Sequence, residues 1–550
     1  MRLIPYAIFP LIALFFMGPA SGQQTVSPSP VQTGSPTASD STKLIHLVTA
    51  DLFRMIKKES DSGELNILSG HVVMKQGNTT FYCDSAIQDP RRNSFEAFGN
   101  IHINDRDSIH TYSQYLKYTG DNRTAVLKKK VKLTDGKGVL TTEELQYDLG
   151  AKIGTYVNGG KVVNKTTTLT SREGYYYADT HEVYFKKEVK LKDPEYRMDT
   201  DTLLYSLDQE LATFVAPTVI HDGKTTIRTK SGFYDLKNGN ASFGERPVIE
   251  DSSQKIIAEN IIYDKKSGKG SATGNVLYRD TAQGVTILAG ETLFNNNSNE
   301  VLATKKPVMI LKQENDSIYI SGDTLYSAVK ADTVWKDMDS ASFKKQSTDT
   351  LKIVSPKVPI QVDSIRFFQA YHHVRIFSDS LQGVCDSLQY SSRDSVFRMF
   401  RDPILWSNAN QISGDTVYLF TKNKQPDHVQ VFENAFAIGR TREGFFNQIK
   451  GSTINGSFVD GKMDFIRAKG NAESIYYLQD QDSAYVGMNY SHADAITLYF
   501  GENGLRRVSW VNGVEGTSYP LRQIPSDKKE LRHFQWLDEK RPKTRLDLFE

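Results

Sequence analysis

The chain has 550 residues, and its 67 lysine and arginine side chains against 65 aspartates and glutamates leave a formal net charge of +2. A balance so close to neutral provides no overall attraction for polyanions, so we do not expect nucleic acid as a partner. Two cysteines are too few for a disulfide-built scaffold, and the 27 tyrosines and 28 phenylalanines are an aromatic content typical of sheet proteins.

Residues 1–22 have the pattern of a secretory signal peptide. Arg2 supplies the positive start, Tyr6–Met17 an apolar core too short for a membrane span, and Ala20 to Gly22 a cleavage site of small residues. An uncleaved anchor is the alternative. Residues 23–42 are rich in Ser, Thr, Pro and Gly, which predicts a disordered leader. The mature chain is therefore expected to be exported.

A unit of about thirty residues then recurs along most of the chain. Its first position is an aliphatic residue preceded by Gly, Pro or a polar residue: Val72, Ile101, Val131, Val162, Val189, Val219, Val248, Val276 and Val308. Four more units begin at Val374, Ile404, Phe436 and Ala472. A fixed period of this length is typical of stacked repeats, in which no unit buries its apolar face alone.

Within a unit, apolar and polar residues alternate with period two, as in Lys187–Lys192. This alternation predicts strands with one buried and one exposed face, and pairs such as Asp222-Gly223 suit the tight turns between them. The prediction is an all-β, elongated, repeat-built fold. An ordinary β-sandwich with chance periodicity is the alternative.

The spacing of the repeat divides the chain into segments. Residues 43–329 form a first β block, and residues 365–519 form a second, less regular one. Residues 330–364, which contain Pro356 and Pro359, break the period and are interpreted as a connector with some strand of its own. Residues 520–550 form a charged C-terminal tail, with a helix start predicted at Ser526 and a loose end from Lys540.

The sequence contains no recognisable catalytic or metal-binding constellation, so we expect no enzyme, metal or cofactor. His372 and His373 are interpreted as polar strand positions. Aspartates recur at one position of the unit (Asp84, Asp201, Asp323, Asp386 and Asp415), which indicates a role in the turn. Cys83 and Cys385 lie about ten units apart and are expected to be unpaired, unless the two blocks fold back on each other.

Particular units carry a family resemblance. Gly70 to Val72, Gly99 to Ile101, Gly160 to Val162 and Gly274 to Val276 share a Gly-x-Val or Gly-x-Ile form, and Thr200–Tyr205 and Gly322–Tyr326 share the companion element. These motifs resemble the OstA-like (LptA) family of periplasmic lipopolysaccharide-transport bridges, clearly over residues 43–330 and weakly over 365–515. The chain departs from the short bridge proteins in its length, central break and tail. It also lacks the membrane barrel of the outer-membrane translocon that carries the same repeat.

The resemblance implies a semi-open β jelly roll, or β-taco, in which two sheets fold over an apolar groove. The nine residues Val72, Ile101, Val131, Val162, Val189, Val219, Val248, Val276 and Val308 would line that groove and bind acyl chains. The implied ligand is lipopolysaccharide or a related glycolipid. The implied partners are other envelope transport proteins, joined by β-strand edge addition, and further copies of the chain joined head to tail. The implied location is the periplasm, in association with the outer membrane.

Two other functions fit parts of the sequence. A structural solenoid of the cell envelope, with its core filled by its own side chains, would bind polysaccharide or protein on an outer face. An exposed aromatic ladder, for example around Tyr175–Tyr177, would favour this alternative. A carbohydrate-active β-helix enzyme would need a cluster of acids in one unit, which the sequence lacks.

Overall fold

The computed structural model describes residues 44–57, 64–282, 284–312, 317–337, 357–422, 425–459, 462–501 and 504–549. The predicted signal peptide (1–22) and disordered leader (23–42) lie outside these residues. In the described part of the chain, no helix has the length and apolarity needed to span a bilayer.

Forty strands in these residues form a single antiparallel sheet, which confirms the all-β repeat fold. The strands up to residue 222 are β1 (His46–Thr49), β2 (Leu52–Lys57), β3 (Glu64–Gln76), β4 (Thr79–Asp89), β5 (Ser94–Asp105), β6 (Ile109–Thr119), β7 (Thr124–Thr134), β8 (Val139–Asp148), β9 (Ile153–Tyr156), β10 (Gly160–Asn164), β11 (Thr167–Ser171), β12 (Glu173–Tyr177), β13 (Glu182–Lys192), β14 (Tyr196–Ser206), β15 (Leu211–Phe214) and β16 (Thr218–Asp222).

The next strands are β17 (Thr225–Thr229), β18 (Ser231–Asp235), β19 (Asn240–Gly244), β20 (Val248–Glu250), β21 (Gln254–Ile257), β22 (Asn260–Asp264), β23 (Lys269–Asp280), β24 (Val285–Asn295), β25 (Glu300–Thr304), β26 (Val308–Lys312), β27 (Ser317–Ser321) and β28 (Thr324–Asp337). The last are β29 (Lys357–Phe377), β30 (Gln382–Ser391), β31 (Val396–Phe400), β32 (Ile404–Ser407), β33 (Asn410–Ser413), β34 (Thr416–Lys422), β35 (Gln425–Arg440), β36 (Phe446–Val459), β37 (Lys462–Gln479), β38 (Tyr485–Gly501), β39 (Gly504–Val511) and β40 (Glu515–Pro520).

Each long strand bends in its middle and so belongs to two halves of the sheet. In β3, Asn66–Ser69 pairs with one half of β4 and Val72–Gln76 pairs with the other, with a register shift between them. Between β8 and β13 the two halves consist of separate short strands, because one half of β8 pairs with β9 and the other pairs with β10, and they rejoin in the continuous strand β13. The sheet is therefore folded lengthwise, with both halves facing one interior.

The fold line is made of corner pairs, which are two consecutive residues with left-handed backbone. They are Gly70–His71, Gly99–Asn100, Lys129–Lys130, Lys187–Glu188, Glu245–Arg246, Gly274–Asn275, Lys305–Lys306, Arg401–Asp402, Glu433–Asn434 and Gly470–Asn471. Glycine and asparagine adopt this conformation most readily. In three of the four motifs, at Gly70, Gly99 and Gly274, the first two residues are a corner pair and the aliphatic residue after them is the first inward residue beyond the bend; at the fourth, Gly159 has the left-handed backbone instead of Gly160.

The interior is one continuous apolar core. Strand residues alternate between buried and exposed, and a single cluster of buried side chains extends from Ile45 to Leu498. Aromatic rings fill much of it: Phe81, Phe95 and Tyr118 contact one another with centroids 4.6–5.4 Å apart. Period-two alternation therefore produces a packed interior along both predicted blocks.

The sheet continues into the region predicted as a connector, residues 330–364. β28 and β29 pair from Thr324 with Tyr371 to Asp337 with Lys357. The described ends of the connector are thus strands of the same sheet, and residues 338–356 lie outside the described part.

The C-terminal tail is not loose, which corrects the expectation for its end. It contains four short 3₁₀ helices, Leu521–Gln523, Ser526–Lys528, Asp538–Lys540 and Arg545–Leu548, the second of them at the predicted helix start. Leu531 and Leu548 are only 4% and 5% exposed. We call residues 521–549 the strap, because they lie along the outer face of the second block and back towards β26.

Buried glutamines of the sheet bind the strap backbone. Gln448 donates to the Lys529 carbonyl (2.9 Å) and accepts from the Leu531 amide (2.8 Å). Gln411 repeats this arrangement with the Gln535 carbonyl and the Leu537 amide, both at 2.8 Å. Around these bonds, Leu531, Phe534 and Trp536 pack on outward apolar residues, including Phe436 and Ile438. The strap stays ordered because its backbone bonds and its apolar side chains are both satisfied.

Candidate functional site

Six of the nine predicted groove residues point into the interior. Val72, Ile101, Val131, Val162, Val189 and Val276 belong to the apolar core, and none is more than 2% exposed. Each is therefore closed off from solvent in this structure. Contact between these six side chains and a ligand stays a prediction, and it requires the interior to open.

The other three, Val219, Val248 and Val308, lie on the outer face, which corrects the prediction for them. Val219 pairs with Asp199 and Arg228, while Thr218 before it takes the inward position. Val248 follows in the same outward row, paired with Arg228.

A proline explains the reversal at two of these positions. Pro247 and Pro307 stand between a corner pair and the valine, so Val248 and Val308 are the second residue after the corner pair instead of the first. A shift of one residue reverses the face to which a strand side chain points. Val308 is nevertheless buried, although it does not belong to the apolar core. It lies near the end of the strap, since the side chain of Lys306, two residues before it, donates to the Phe549 carbonyl.

Opposite the corner pairs, two rows of hairpin turns face each other, and we call them the lips. The first lip comprises turns 77–78, 106–108, 135–138, 165–166, 193–195, 223–224, 251–253 and 281–282. The second lip comprises turns 90–93, 120–123, 149–152, 178–181, 207–210, 236–239, 265–268 and 296–299. The line along which the lips meet is called the seam.

Acids and amides recur where strands reach the first lip, at intervals of 29 or 30 residues. They are Gln76, Asp105, Asp135, Asn164, Asp193, Asp222, Asp251 and Asp280. Sequence analysis did not single them out as a set, although their spacing is more regular than that of the valines. That spacing is the signal that would have revealed this side of the molecule.

Side chains bridge the seam at its N-terminal end. The Gln76 amide donates to the Gly120 carbonyl on the second lip (3.0 Å). Arg123 donates to Thr79 across the lips (3.0 Å), and its guanidinium lies 3.9 Å from the buried Asp105 carboxylate. These contacts seal the interior with polar groups that satisfy one another.

The bridging continues in the middle of the first block. The Asn164 amide donates to the Leu207 carbonyl (3.0 Å). Lys137 lies 3.2 Å from Asp208, and Lys165 lies 2.5 Å from Glu210.

The next bridge depends on one lysine of the second lip. Lys265 lies 3.1 Å from both Asp222 and Glu195 on the first lip. Within the described residues, every backbone–backbone hydrogen bond between turns of the lips connects turns of the same lip. The seam is therefore closed by side chains.

A column of tyrosines lies beneath the seam at intervals of 29 residues: Tyr118, Tyr147, Tyr176, Tyr205, Tyr234 and Tyr263. Tyr118 donates to Gln76, Tyr176 to Asp135 and Tyr234 to Asp222. Burial raises the pKa of Tyr118 and of Tyr205 to about 12. The column couples the apolar core to the polar seam.

Tyr147 is the exception in this column. Its side chain is 1% exposed, and its hydroxyl has no hydrogen-bond partner. Burial raises the pKa of Tyr147, and the carboxylate of Asp105 raises it further. A buried unpaired hydroxyl is costly by roughly 1–3 kcal/mol, so this point of the seam is incompletely satisfied when closed.

The recurring aspartates act at the corners. Asp84 accepts from Asn100 (2.9 Å) and Asp415 from Asn434 (3.0 Å), so each contacts a corner pair. Asp323 and Asp386 lie 2.9 Å from His373 and 3.0 Å from His372, respectively. Asp201, by contrast, accepts from its neighbour Thr202.

The described residues contain no group of three or more His, Cys, Asp and Glu side chains arranged to hold a metal ion. Cys83 and Cys385 are buried and unpaired, and burial raises the pKa of both thiols to about 12.

A sheet folded lengthwise over one apolar core, built from units of about thirty residues, defines an elongated β-repeat protein. Comparison with known families classifies its N-terminal part more closely. Residues 42–201 match the model of a family described as OstA-like protein, and this segment is OstA-like. The match extends from β1 into β14 and includes five of the predicted groove residues, Val72, Ile101, Val131, Val162 and Val189. A search of curated proteins finds no match to the chain.

Proposed function

We propose that this protein is a lipid carrier of the bacterial periplasm, without enzymatic activity or cofactor. It would shield the acyl chains of lipopolysaccharide or a related glycolipid in its interior during transport to the outer membrane. The observation that carries this proposal is the uninterrupted apolar core from Ile45 to Leu498, in a chain whose first part is OstA-like. Exposing an acyl chain to water costs roughly 0.8 kcal/mol per CH₂. A continuous apolar interior removes that cost at every step along the path.

The two ends of the sheet support the expected partners. In the described residues, β1 and β2 pair only with β3, and β39 and β40 pair only with β38. Strands β1 and β2 also expose large apolar side chains, including Val48 (59%) and Phe53 (48%). Unpaired strands beside apolar side chains favour strand addition. We therefore propose that envelope transport proteins, or further copies of this chain, extend the sheet at these ends.

A photo-crosslinking amino acid at Val189 tests the proposal, with Val219 as the matched control. Both positions are valines that pair with β14, Val189 with Thr200 and Val219 with Asp199, but Val189 is 1% exposed in the core while Val219 faces outward. In cells, we expect glycolipid adducts at Val189 and none at Val219, detected by mass spectrometry. No lipid adduct at Val189 or at a second inward position, Val131, would overturn the proposal.

A second candidate function is supported by the closed interior. An envelope solenoid with a filled core would bind polysaccharide or protein on its outer face. On that face Tyr82, His102 and Tyr112 form a stacked row, with centroids 5.4 and 4.6 Å apart. Tyr175–Tyr177 do not form such a ladder, because Tyr176 is buried in the core. Polysaccharide or protein adducts at Tyr82, with none of lipid at Val189, would favour this function.

A further inference from the structure

We infer that the seam is a lateral gate: the lips part to admit the alkyl chains of an amphiphile from the side, and the side chains of the seam then hold its polar portion. This inference rests on the proposed function, and it specifies how a ligand reaches an interior that is closed in this structure.

The two sides of the core differ mechanically. Along the corners, the chain passes directly from one half of the sheet to the other, in places within one continuous strand such as β7 or β23, so the two halves are covalently connected there. Across the lips, the described residues are joined by side-chain contacts, while the backbone hydrogen bonds of the turns stay within each lip. The lips can therefore separate without breaking a strand ladder.

The lysines that bridge the lips are exposed to solvent. The side chains of Lys137 and Lys165 are 56% and 67% exposed, although they bridge the lips to Asp208 and Glu210. Exposed ion pairs are individually weak and are screened by salt. They can keep the lips in register without locking them shut.

Tyr147 is left unsatisfied when the lips are closed. Its hydroxyl is buried beneath the seam without a partner, in the column between Tyr118 and Tyr176, which both donate to seam residues. Closing the lips leaves this hydroxyl unsatisfied. Parting them gives it a partner, which is water or the polar portion of a bound amphiphile.

These features specify the ligand by chemistry. The interior accepts alkyl chains, because it is lined by aliphatic and aromatic side chains throughout. The seam adds cations and acids from both lips, including Arg123, Lys137, Asp208 and Glu210. A long-chain amphiphile with a hydrogen-bonding head, lying with its chains inward and its head between the lips, satisfies both.

A reversible tie across the lips tests the gate. Lys137→Cys with Asp208→Cys places two thiols on opposite lips, where a short, disulfide-containing bismaleimide joins them. Lys152→Cys with Asp179→Cys is the matched control, because this pair of oppositely charged residues lies within the second lip. The native thiols stay unreactive, since burial raises the pKa of Cys83 and of Cys385 to about 12.

The full chain is then mixed with a fluorescent twelve-carbon fatty acid, and uptake is followed by emission. Tying the lips together is expected to slow fatty-acid uptake at least fivefold. Reducing the linker is expected to restore the original rate of uptake. The control tie is expected to leave that rate unchanged. Equal uptake with the lips tied would show that ligand enters elsewhere, such as the ends, and would overturn the gate while leaving the carrier function intact. No uptake by any form, tied or free, would overturn both.

Charge reversal provides a second readout that needs no cross-linker. Lys137→Asp places two carboxylates across the seam and is expected to speed uptake at least threefold. Adding Asp208→Lys, which re-forms the pair in reverse, is expected to restore the original rate. An unchanged rate in the single variant would contradict a role for this pair in closing the gate.

Discussion

The side-chain amide of Asn164 on the first lip donates to the backbone carbonyl of Leu207 on the second, across 3.0 Å. The two residues are 43 positions apart in the chain. The contact recurs in modified form along the first block, wherever an acid or amide at the end of a first-lip strand meets the opposite turn. It joins the two halves of the sheet on the side away from the corners.

Asn164→Leu is expected to destabilise the fold by about 1–3 kcal/mol, because it leaves the Leu207 carbonyl without its donor in a buried setting. Asn164 is 3% exposed. The measurement is the free energy of unfolding in urea. Asn238→Leu, on an exposed turn of the second lip, is the control and should change stability by less than about 0.5 kcal/mol. Equal changes in unfolding free energy for the two variants would show that the bond from Asn164 to Leu207 does not stabilise the fold.

Gln411→Ala is expected to loosen the strap, because it removes both bonds to the backbone at Gln535 and Leu537. The strap should then be cleaved faster by trypsin, which has sites at Arg532 and Lys540. Band loss in timed digests measures this. Gln479→Ala, an exposed position on β37 that contacts its own turn at Ser483, should leave the rate as it is. Equal cleavage rates in Gln411→Ala and Gln479→Ala would show that apolar packing alone keeps the strap on the sheet.

Alkaline pH is expected to destabilise the protein through the tyrosine column. Burial raises the pKa of Tyr118 to about 12, whereas an unfolded tyrosine has a pKa of about 10. A group whose folded pKa is raised contributes its full stability below the unfolded value and loses it as pH rises. Stability should therefore fall between pH 10 and pH 12, by on the order of 2 kcal/mol for this residue.

Urea unfolding at several pH values measures this loss. Tyr118→Phe should make the alkaline loss smaller by the share of this residue, because its ionising group is gone while the other tyrosines of the column remain. Tyr82→Phe, on the outer face, is the control for the loss of a tyrosine outside the column. An identical slope in the native protein and in Tyr118→Phe would show that other groups cause the alkaline loss.

Gly99→Ala is expected to destabilise a corner. Gly99 has φ +74°, and an added Cβ would meet the carboxylate of Asp84. Gly136→Ala is the matched control, because Gly136 has φ +84° and open space around it. Both substitutions place an alanine in the left-handed backbone region, which costs roughly 1–2 kcal/mol. The difference in unfolding free energy between the two variants therefore measures the clash of the added Cβ at position 99 with Asp84. Equal unfolding free energies for the two variants would mean that Asp84 moves away from the added Cβ at no measurable cost.

Part of this architecture is readable from the sequence alone. Lysine alternating with valine and leucine in Lys187–Lys192 predicts a strand with one buried face, and Val189 and Leu191 are buried as that pattern requires. The Gly-x-Val and Gly-x-Ile motifs predict repeat boundaries, and three of them, at Gly70, Gly99 and Gly274, mark corner pairs. The same reasoning is wrong at Val248 and Val308, since a valine after a proline lies one residue further from the corner and faces outward.

The sequence by itself determined the period, the strands and the all-β repeat, because spacing and alternation are local properties of the chain. Only the tertiary structure decided which face each valine occupies, that Asn164 meets Leu207, and that the strap covers Phe436 and Ile438. Those outcomes depend on strand register, on the lengthwise fold of the sheet and on the path of the strap, which bring together residues that no local pattern connects.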